Sequence, residues 1–271
     1  MSAKFPQEGS MVLRNTSAKL DYSHINEGYF IVWVYDPGPH RKFKIKVSAN
    51  GKEQNFSAHP EHGEVYVPLV YGSGRYTLII ARHTSGVSYE PVINTTMDVR
   101  LPDELEPWLY PTAYAEYFQD SVCVRTAEGI TAGLTADIDK LGAIVEYVMD
   151  CLEYDTELAR TVNEDKTKFW IPTPDDVIAK KKGICWEYAS LTAALCRVSG
   201  IPCKVVVGWV GGIYHAWNEI WMKDGGSLID GYPMPESQWA LLDLTVADSG
   251  GGIKTFYDYA ANNAYAAEYY G

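Results

Sequence analysis

The 271-residue sequence predicts an α+β protein in which an immunoglobulin-like β-sandwich precedes a domain of helices packed on an antiparallel sheet. Three observations predict this fold. The first hundred residues are short segments rich in β-branched and aromatic residues, a proline-rich segment follows, and the remainder mixes helical and strand patterns. We expect the sandwich at 1–101, a linker and lead-in at 102–134, and the second domain at 135–271.

The predicted sandwich depends on a regular series of strands and turns. The strands are expected at 28–35, 41–49, 64–70, 75–82 and 94–101. In the second of these, Phe43, Ile45 and Val47 alternate with lysines, which is typical of a half-buried antiparallel strand. Strands at intervals of about ten residues favour an immunoglobulin-like sandwich. We expect it to have an accessory role, either in packing or in contact with a substrate, cell wall or surface protein.

The segments after the sandwich lead towards a single cysteine. Three prolines within 101–111 predict an extended linker. The apolar spacing over 136–152 predicts an amphipathic helix. Thr173 followed by Pro174 predicts the start of another helix, with threonine as its cap. That helix is expected to end at lysines 180–182 and Gly183, just before Cys185.

Cys185 lies where a glycine turn becomes a helix. The helix is predicted over 186–199 and is ended by Gly200 and Pro202. Its first turn presents unpaired N–H groups and the positive end of the helix dipole, which favour a thiolate, and the preceding lysines add positive potential. Cys185 is therefore the candidate nucleophile.

Two later motifs supply partners for this thiol. His215 lies in a predicted aromatic-rich strand at 214–221, and Asp243 is the one acid of an apolar strand predicted at 238–245. A buried carboxylate needs a partner, so Cys185, His215 and Asp243 are expected to act as nucleophile, base and orienter. Asp230 is the alternative orienter, but glycine, tyrosine and proline surround it as in a turn. We prefer Asp243.

Taken together, these motifs resemble the transglutaminase-like superfamily of papain-type cysteine enzymes, as in bacterial members with an N-terminal β-sandwich. The family order of cysteine, histidine and aspartate matches positions 185, 215 and 243, and the resemblance extends from about residue 135 onwards. Leu244 departs from the pattern, because the family often has proline after the aspartate. The long segment between His215 and Asp243 predicts an inserted turn or loop.

The resemblance implies a cysteine-dependent acyl-transfer enzyme that acts on protein or peptide amides through a Cys185 thioester, as a protease, amidase or transglutaminase. It implies no cofactor and no metal. The Cys185 N–H is the expected oxyanion donor. Ala179 stands where papain-like enzymes have the second donor, which leaves Trp170, Tyr154 or a residue that the sequence does not identify. The alternative is a catalytically silent domain used for binding or scaffolding.

Composition excludes several other functions. The net charge of −12, from 23 basic and 35 acidic residues, argues against a nucleic-acid partner. No apolar run is long enough to span a membrane. Residues 1–10 lack the apolar core of a signal peptide, which indicates a cytoplasmic protein or an extracytoplasmic one whose signal has been removed; we favour the second.

The spacing of the five cysteines indicates neither disulfides nor a zinc site. We expect the four cysteines other than Cys185 to be buried: Cys123, Cys151, Cys196 and Cys203. His59-Pro60-Glu61-His62 is interpreted as a solvated turn.

Overall fold

The computed structural model describes residues 3–35, 42–164 and 172–271. These form two compact units: the first is Pro6–Ala113, and the second contains Tyr114–Gly271 and residues 3–5. The boundary falls inside the segment 102–134, which the sequence analysis assigned to a linker and lead-in. The turn expected at 36–39 lies outside the described residues.

The described part of the first unit contains eight strands in two antiparallel sheets. They are β1 (Val12–Arg14), β2 (Ala18–Asp21), β3 (Tyr29–Val34), β4 (Phe43–Ala49), β5 (Lys52–Ala58), β6 (Glu64–Pro68), β7 (Gly74–Ser85) and β8 (Ser88–Val99). One sheet has the order β1-β2-β3-β6 and the other the order β5-β4-β7-β8. The predicted immunoglobulin-like β-sandwich is confirmed.

Alternating burial explains why these residues form strands. In β4 the side chains of Phe43, Ile45 and Val47 are buried, whereas the lysines between them are partly or fully exposed. Burying one such apolar side chain stabilises the fold by about 1.5–3 kcal/mol. The turn from β4 to β5 is formed by Asn50 and Gly51 with φ of 52° and 75°, the left-handed geometry of a two-residue hairpin.

Two features of this unit differ from the sequence prediction. Strands β1, β2 and β5 were not predicted. β5 begins with four polar residues, and its pairing with β4, from Ala49 opposite Lys52 onwards, imposes the extended conformation. The extended linker is also wrong in part, because Glu106–Leu109 forms a 3₁₀ turn. Pro107 fits its first turn, where no N–H is needed, and the Tyr110 ring packs on Tyr29 with centroids 4.7 Å apart.

The second unit combines seven described helices with a four-stranded antiparallel sheet. The helices are α1 (Val122–Ile130), α2 (Asp137–Cys151), α3 (Thr156–Glu164), α4 (Pro174–Lys180), α5 (Cys185–Val198), α6 (Leu244–Gly250) and α7 (Ile253–Asn262). The strands are β9 (Glu153–Tyr154), β10 (Lys182–Gly183), β11 (Cys203–Val210), β12 (Ile213–Met222), β13 (Gly226–Ser227), β14 (Pro233–Met234), β15 (Gln238–Leu242) and β16 (Tyr265–Tyr270). The main sheet has the order β15-β12-β11-β16, and β9 and β10 form a short parallel pair.

The predicted helices around the cysteine are confirmed. The apolar stripe of α2 is fully buried, including Leu141, Ile144 and Val148. Helix α4 begins at its threonine cap, because Thr173 Oγ1 accepts a hydrogen bond from the Asp176 N–H at 3.2 Å. Helix α5 packs on β11 and β12 and is buried along most of its length. Within the described ranges, no helix has both the length and the apolarity needed to cross a membrane.

Candidate active site

Cys185 is the first residue of α5, and the turn before it is held in place by a buried acid. Ile184 is the extended N-cap residue, and its backbone N–H donates to Glu187 Oε2 at 3.0 Å. A Cβ atom on Gly183 would lie 2.2 Å from Glu187 Cβ, so only glycine fits there. The turn therefore presents a partly exposed cysteine at a helix N-terminus.

A parallel strand pair brings Tyr154 towards the cysteine. Gly183 in β10 pairs with Tyr154 in β9, and Gly183 O accepts a hydrogen bond from the Asp155 N–H at 2.9 Å. Partial burial and the charges of Cys185 and Glu187 raise the pKa of Tyr154, so its hydroxyl keeps its proton. Of the two residues named as a second oxyanion donor, Trp170 lies outside the described residues, and the role of Tyr154 stays a prediction.

His215 bridges the cysteine and the aspartate. It lies on β12, where its Nε2 donates to Asp243 Oδ2 at 2.7 Å. The Cys185 side chain lies close enough to the same ring to raise its pKa. Because Nε2 is engaged by the carboxylate, Nδ1 is the ring nitrogen left for the thiol. The structure therefore brings together all three candidate residues.

The environment of His215 favours its protonated form. Burial lowers the pKa of this imidazole, but the hydrogen bond to Asp243, the charge of Asp243 and the nearby Cys185 side chain outweigh burial and raise the pKa to about 10. An imidazolium beside the sulfur is the counter-ion that a reactive thiolate needs. The arrangement can supply this counter-ion at neutral pH.

Asp243 lies at a junction between a strand and a helix, which corrects the sequence prediction. The strand expected to continue to residue 245 ends at Leu242, because Asp243 Oδ1 accepts a hydrogen bond from the Val246 N–H at 3.2 Å and caps α6. Leu244 is the first residue of α6, a position that proline also favours. The departure of Leu244 from the family pattern therefore leaves the cap intact.

The segment between His215 and Asp243 forms the expected inserted loop. It contains the small β13–β14 hairpin and a 3₁₀ turn at Ile229–Gly231, and Asp230 belongs to that turn. The hydrogen bond of His215 goes to Asp243. The Asp243 side chain is fully buried, which agrees with the apolar context that favoured it in the sequence.

Two residues of the site have weak or no sequence signals. Glu187 could have been recognised as the third residue of a capping box, but Ile184 at the cap has no side-chain oxygen. Tyr265 donates its hydroxyl to Asp243 Oδ2 at 2.8 Å. It lies 22 residues after Asp243 in sequence, and no motif marks it. Only the folding of β16 against β11 reveals this contact.

The remaining cysteines and the histidine-containing turn belong to other elements of the chain. Cys123, Cys196 and Cys203 are buried as expected. Cys151 is partly exposed, so its predicted burial is wrong; it is the last residue of α2, where the helix surface meets solvent. Pro60–His62 forms a 3₁₀ turn. In the described ranges, no group of three or more histidines, cysteines or acids is placed to hold a metal ion.

A comparison with known protein families agrees with this fold. Residues 124–243 match the family model described as the transglutaminase-like superfamily, so this part of the chain is a transglutaminase-like domain. The matched segment contains Cys185 and His215 and ends at Asp243. The predicted resemblance is confirmed.

Individual relatives cover this chain unevenly. The kyphoscoliosis peptidase of Mus musculus is 29% identical over 126 residues, which is 41% of this chain but only 17% of the mouse protein. A candidate cysteine protease from Cytophaga hutchinsonii has a TM-score of 0.41 at 17% identity, over 88% of this chain and 70% of that one. Red sea bream transglutaminase has a TM-score of 0.35 at 16% identity, over 83% and 49% of the two chains.

Proposed function

We propose that this protein is a cysteine-dependent acyl-transfer enzyme that acts on protein or peptide amides, with Cys185 as nucleophile, His215 as acid and base, and Asp243 as orienter. One observation carries the proposal: the His215 ring is hydrogen-bonded to Asp243 and lies beside the Cys185 side chain at the N-terminus of α5. The transglutaminase-like match over the same segment supports it.

The proposed reaction has two steps. In the first, the Cys185 thiolate attacks the amide carbonyl carbon, a C–S bond forms, and the His215 imidazolium gives its proton to the departing amine as the C–N bond breaks. In the second, water or an amine attacks the thioester, His215 accepts the proton of the attacking group, and the thiolate leaves. Asp243 holds the imidazole with Nε2 protonated and Nδ1 facing sulfur throughout.

The oxyanion of each tetrahedral intermediate needs hydrogen-bond donors. The Cys185 backbone N–H lies at a helix start, where it has no intrahelical acceptor. We propose that the Tyr154 hydroxyl is the second donor, because β9 places it beside Cys185 and its pKa is raised. Removing one donor of this kind typically lowers the rate about 10²–10³-fold.

We propose hydrolysis in preference to transfer to an amine. The mouse relative is named a peptidase, which supports a hydrolytic outcome for a thioester formed at Cys185. Its match covers a small part of that protein, so the substrate of the present chain is not inherited from it. Transfer to an amine is the alternative within the same mechanism.

Incubation with glutamine-containing peptides, with and without a primary amine, tests the proposal. Ammonia release, peptide cleavage and amine incorporation would be measured, with Cys185→Ala as the matched control. We expect turnover by the wild-type chain only. Equal signals from the wild type and the variant, together with a Cys185 that reacts no faster than the other cysteines, would instead support the silent binding or scaffolding domain.

For the β-sandwich of Pro6–Ala113 we propose an accessory structural role, with contact to a cell wall or surface protein as the alternative. Sedimentation of the whole chain with purified cell-wall material would distinguish the two roles, since only the second predicts that the chain is retained.

A further inference from the structure

Tyr265 lies outside the segment that matches the transglutaminase-like family, yet its hydroxyl reaches the centre of the candidate active site. It is the first residue of β16, and the family match ends at Asp243. The hydroxyl donates to Asp243 Oδ2 at 2.8 Å, and the same oxygen accepts the hydrogen bond from His215 Nε2 at 2.7 Å. One carboxylate oxygen thus has two side-chain donors.

The register of the sheet explains how Tyr265 reaches this position. Tyr265 pairs with Val210 on β11, and His215 pairs with Gly208 two residues earlier on that strand, so both side chains point to the same face of the sheet. Gly208 lets β16 approach, because a Cβ atom there would lie 2.1 Å from Ala266 O.

The surroundings of Tyr265 fix its orientation and its protonation state. Its ring meets Trp217 edge-on, with centroids 5.1 Å apart, and also packs against Tyr259. Burial, the Asp243 charge and the hydrogen bond to it raise the pKa of Tyr265 well above its usual range. The hydroxyl is therefore always a donor to Asp243.

We propose that Tyr265 is a positioning residue that acts through Asp243 to set the orientation and proton affinity of His215. This inference rests on the proposed function. By donating to Oδ2, Tyr265 draws negative charge away from the oxygen that stabilises the imidazolium and stops the carboxylate from rotating. The groups that act on His215 are Cys185 from α5 and Asp243 from the β15–α6 junction, and Tyr265 from β16 contacts Asp243. Around Tyr265 the further titratable groups are Tyr259 of α7 and Tyr232.

The test is the rate of Cys185 alkylation by iodoacetate as a function of pH, measured on the full chain. This reagent is an anion, so its rate rises as the thiolate forms and falls as the neighbouring imidazolium loses its proton. A plot of this rate against pH is therefore bell-shaped, and its high-pH side reports the loss of the His215 proton. We expect Tyr265→Phe to move the high-pH side, the upper limb, to higher pH by about half a unit and to lower the maximum rate about threefold, because Asp243 is then a stronger but less fixed acceptor. Tyr259→Phe, which removes a hydroxyl from the same aromatic cluster, is the matched control and should behave as wild type.

Two further variants separate the hydroxyl from ring packing. If only packing matters, Tyr265→Phe will match wild type and Tyr265→Leu alone will be impaired. If Tyr265 acts through Asp243, the effect of Tyr265→Phe will disappear in an Asp243→Asn background. An effect of the same size in both backgrounds would overturn the proposal.

Site-specific 3-fluorotyrosine at position 265 keeps the proposal testable even if the phenylalanine variant does not fold. Fluorine makes the phenol a stronger donor, so the upper limb should move to lower pH, opposite to the phenylalanine variant. An unmoved limb would overturn the role of Tyr265 and leave the proposed function standing. If the rate of Cys185 alkylation in the wild-type chain shows no bell-shaped dependence on pH, the proposed function itself is overturned.

Discussion

Each unit of the molecule has a buried aspartate, and the two differ in what donates to them. Asp21 in the β-sandwich is 2% exposed, and its two oxygens accept backbone N–H groups of Gly9 at 2.7 Å and Ser23 at 2.9 Å. Asp243 in the second unit is 1% exposed; its Oδ1 also accepts a backbone N–H, that of Val246, but its Oδ2 accepts from the side chains of His215 and Tyr265. A backbone amide does not titrate, whereas an imidazole does. The kind of donor therefore distinguishes an aspartate that only stabilises the fold from one that can take part in proton transfer.

The second unit also buries polar side chains around the helix that carries the cysteine. Glu187 fixes the turn before α5, and Asn218 Nδ2 donates to Ala189 O at 2.9 Å and to Lys204 O at 3.0 Å. The Asn218 contacts join α5 to the sheet close to His215. Such satisfied buried groups specify one arrangement of two elements, which a reactive site requires.

The largest effect is expected at the nucleophile. Cys185→Ala should lower turnover at least about 10⁴-fold, because no other group can form the thioester. The fold should persist, since alanine is tolerated at the first position of a helix. Activity on the peptide substrate and the thermal unfolding midpoint check both statements. Retained turnover would remove Cys185 from the proposed role.

Replacement of the orienter is expected to have the next largest effect. Asp243→Ala should lower turnover about 10³–10⁴-fold, because the tautomer and the imidazolium lose their support. Asp230→Ala is the control, and we expect it to stay within about threefold of wild type, since the loop acid has no part in the proposed chemistry. A larger loss in the Asp230 variant would reverse the assignment.

Disturbing the turn before the helix should have an intermediate effect. Gly183→Ala places a Cβ atom 2.2 Å from Glu187 Cβ, so the turn must shift. A displacement of about 1 Å at a reacting group can cost about 10²-fold, and we expect a loss of about 10–10²-fold in turnover. Gly142→Ala, at a position on α2 with open space around it, is the control. Equal activities would show that this turn does not position Cys185.

The smallest effect on catalysis is expected from the aspartate of the sandwich. Asp21→Ala should lower the free energy of unfolding by about 1–3 kcal/mol and leave turnover unchanged. Burial raises the pKa of Asp21, but the hydrogen bonds from Ser23 and Gly9 lower it by more, so the pKa in the folded protein is below the usual value. The contribution of Asp21 to the free energy of unfolding is therefore present near neutral pH and is lost as the pH falls through the lowered pKa. Urea unfolding of the wild type and of Asp21→Ala at neutral and at acid pH measures this contribution. A difference in the free energy of unfolding that is as large at acid pH as at neutral pH would contradict the prediction.

Local chemistry made part of the site predictable. Thr173, Pro174 and the Gly183–Cys185 turn have short-range preferences that mark helix starts, and the apolar strand around Asp243 indicated a buried acid. Tyr265 was not predictable, because β16 lacks an alternating pattern and becomes a strand by pairing with β11. The helix start at Asp243 was missed because the apolar residues continue past the end of the strand.

Competitive alkylation of the five cysteines in the folded chain, followed by mass spectrometry, tests the central claim most directly. Near neutral pH, we predict that Cys185 reacts at least about tenfold faster than Cys151, which is also partly exposed, and that His215→Ala removes this advantage. With iodoacetate the Cys185 rate should fall as the pH rises through about 10, where His215 loses its proton. A Cys185 rate equal to that of Cys151, or one unchanged by His215→Ala, would contradict the thiolate–imidazolium pair.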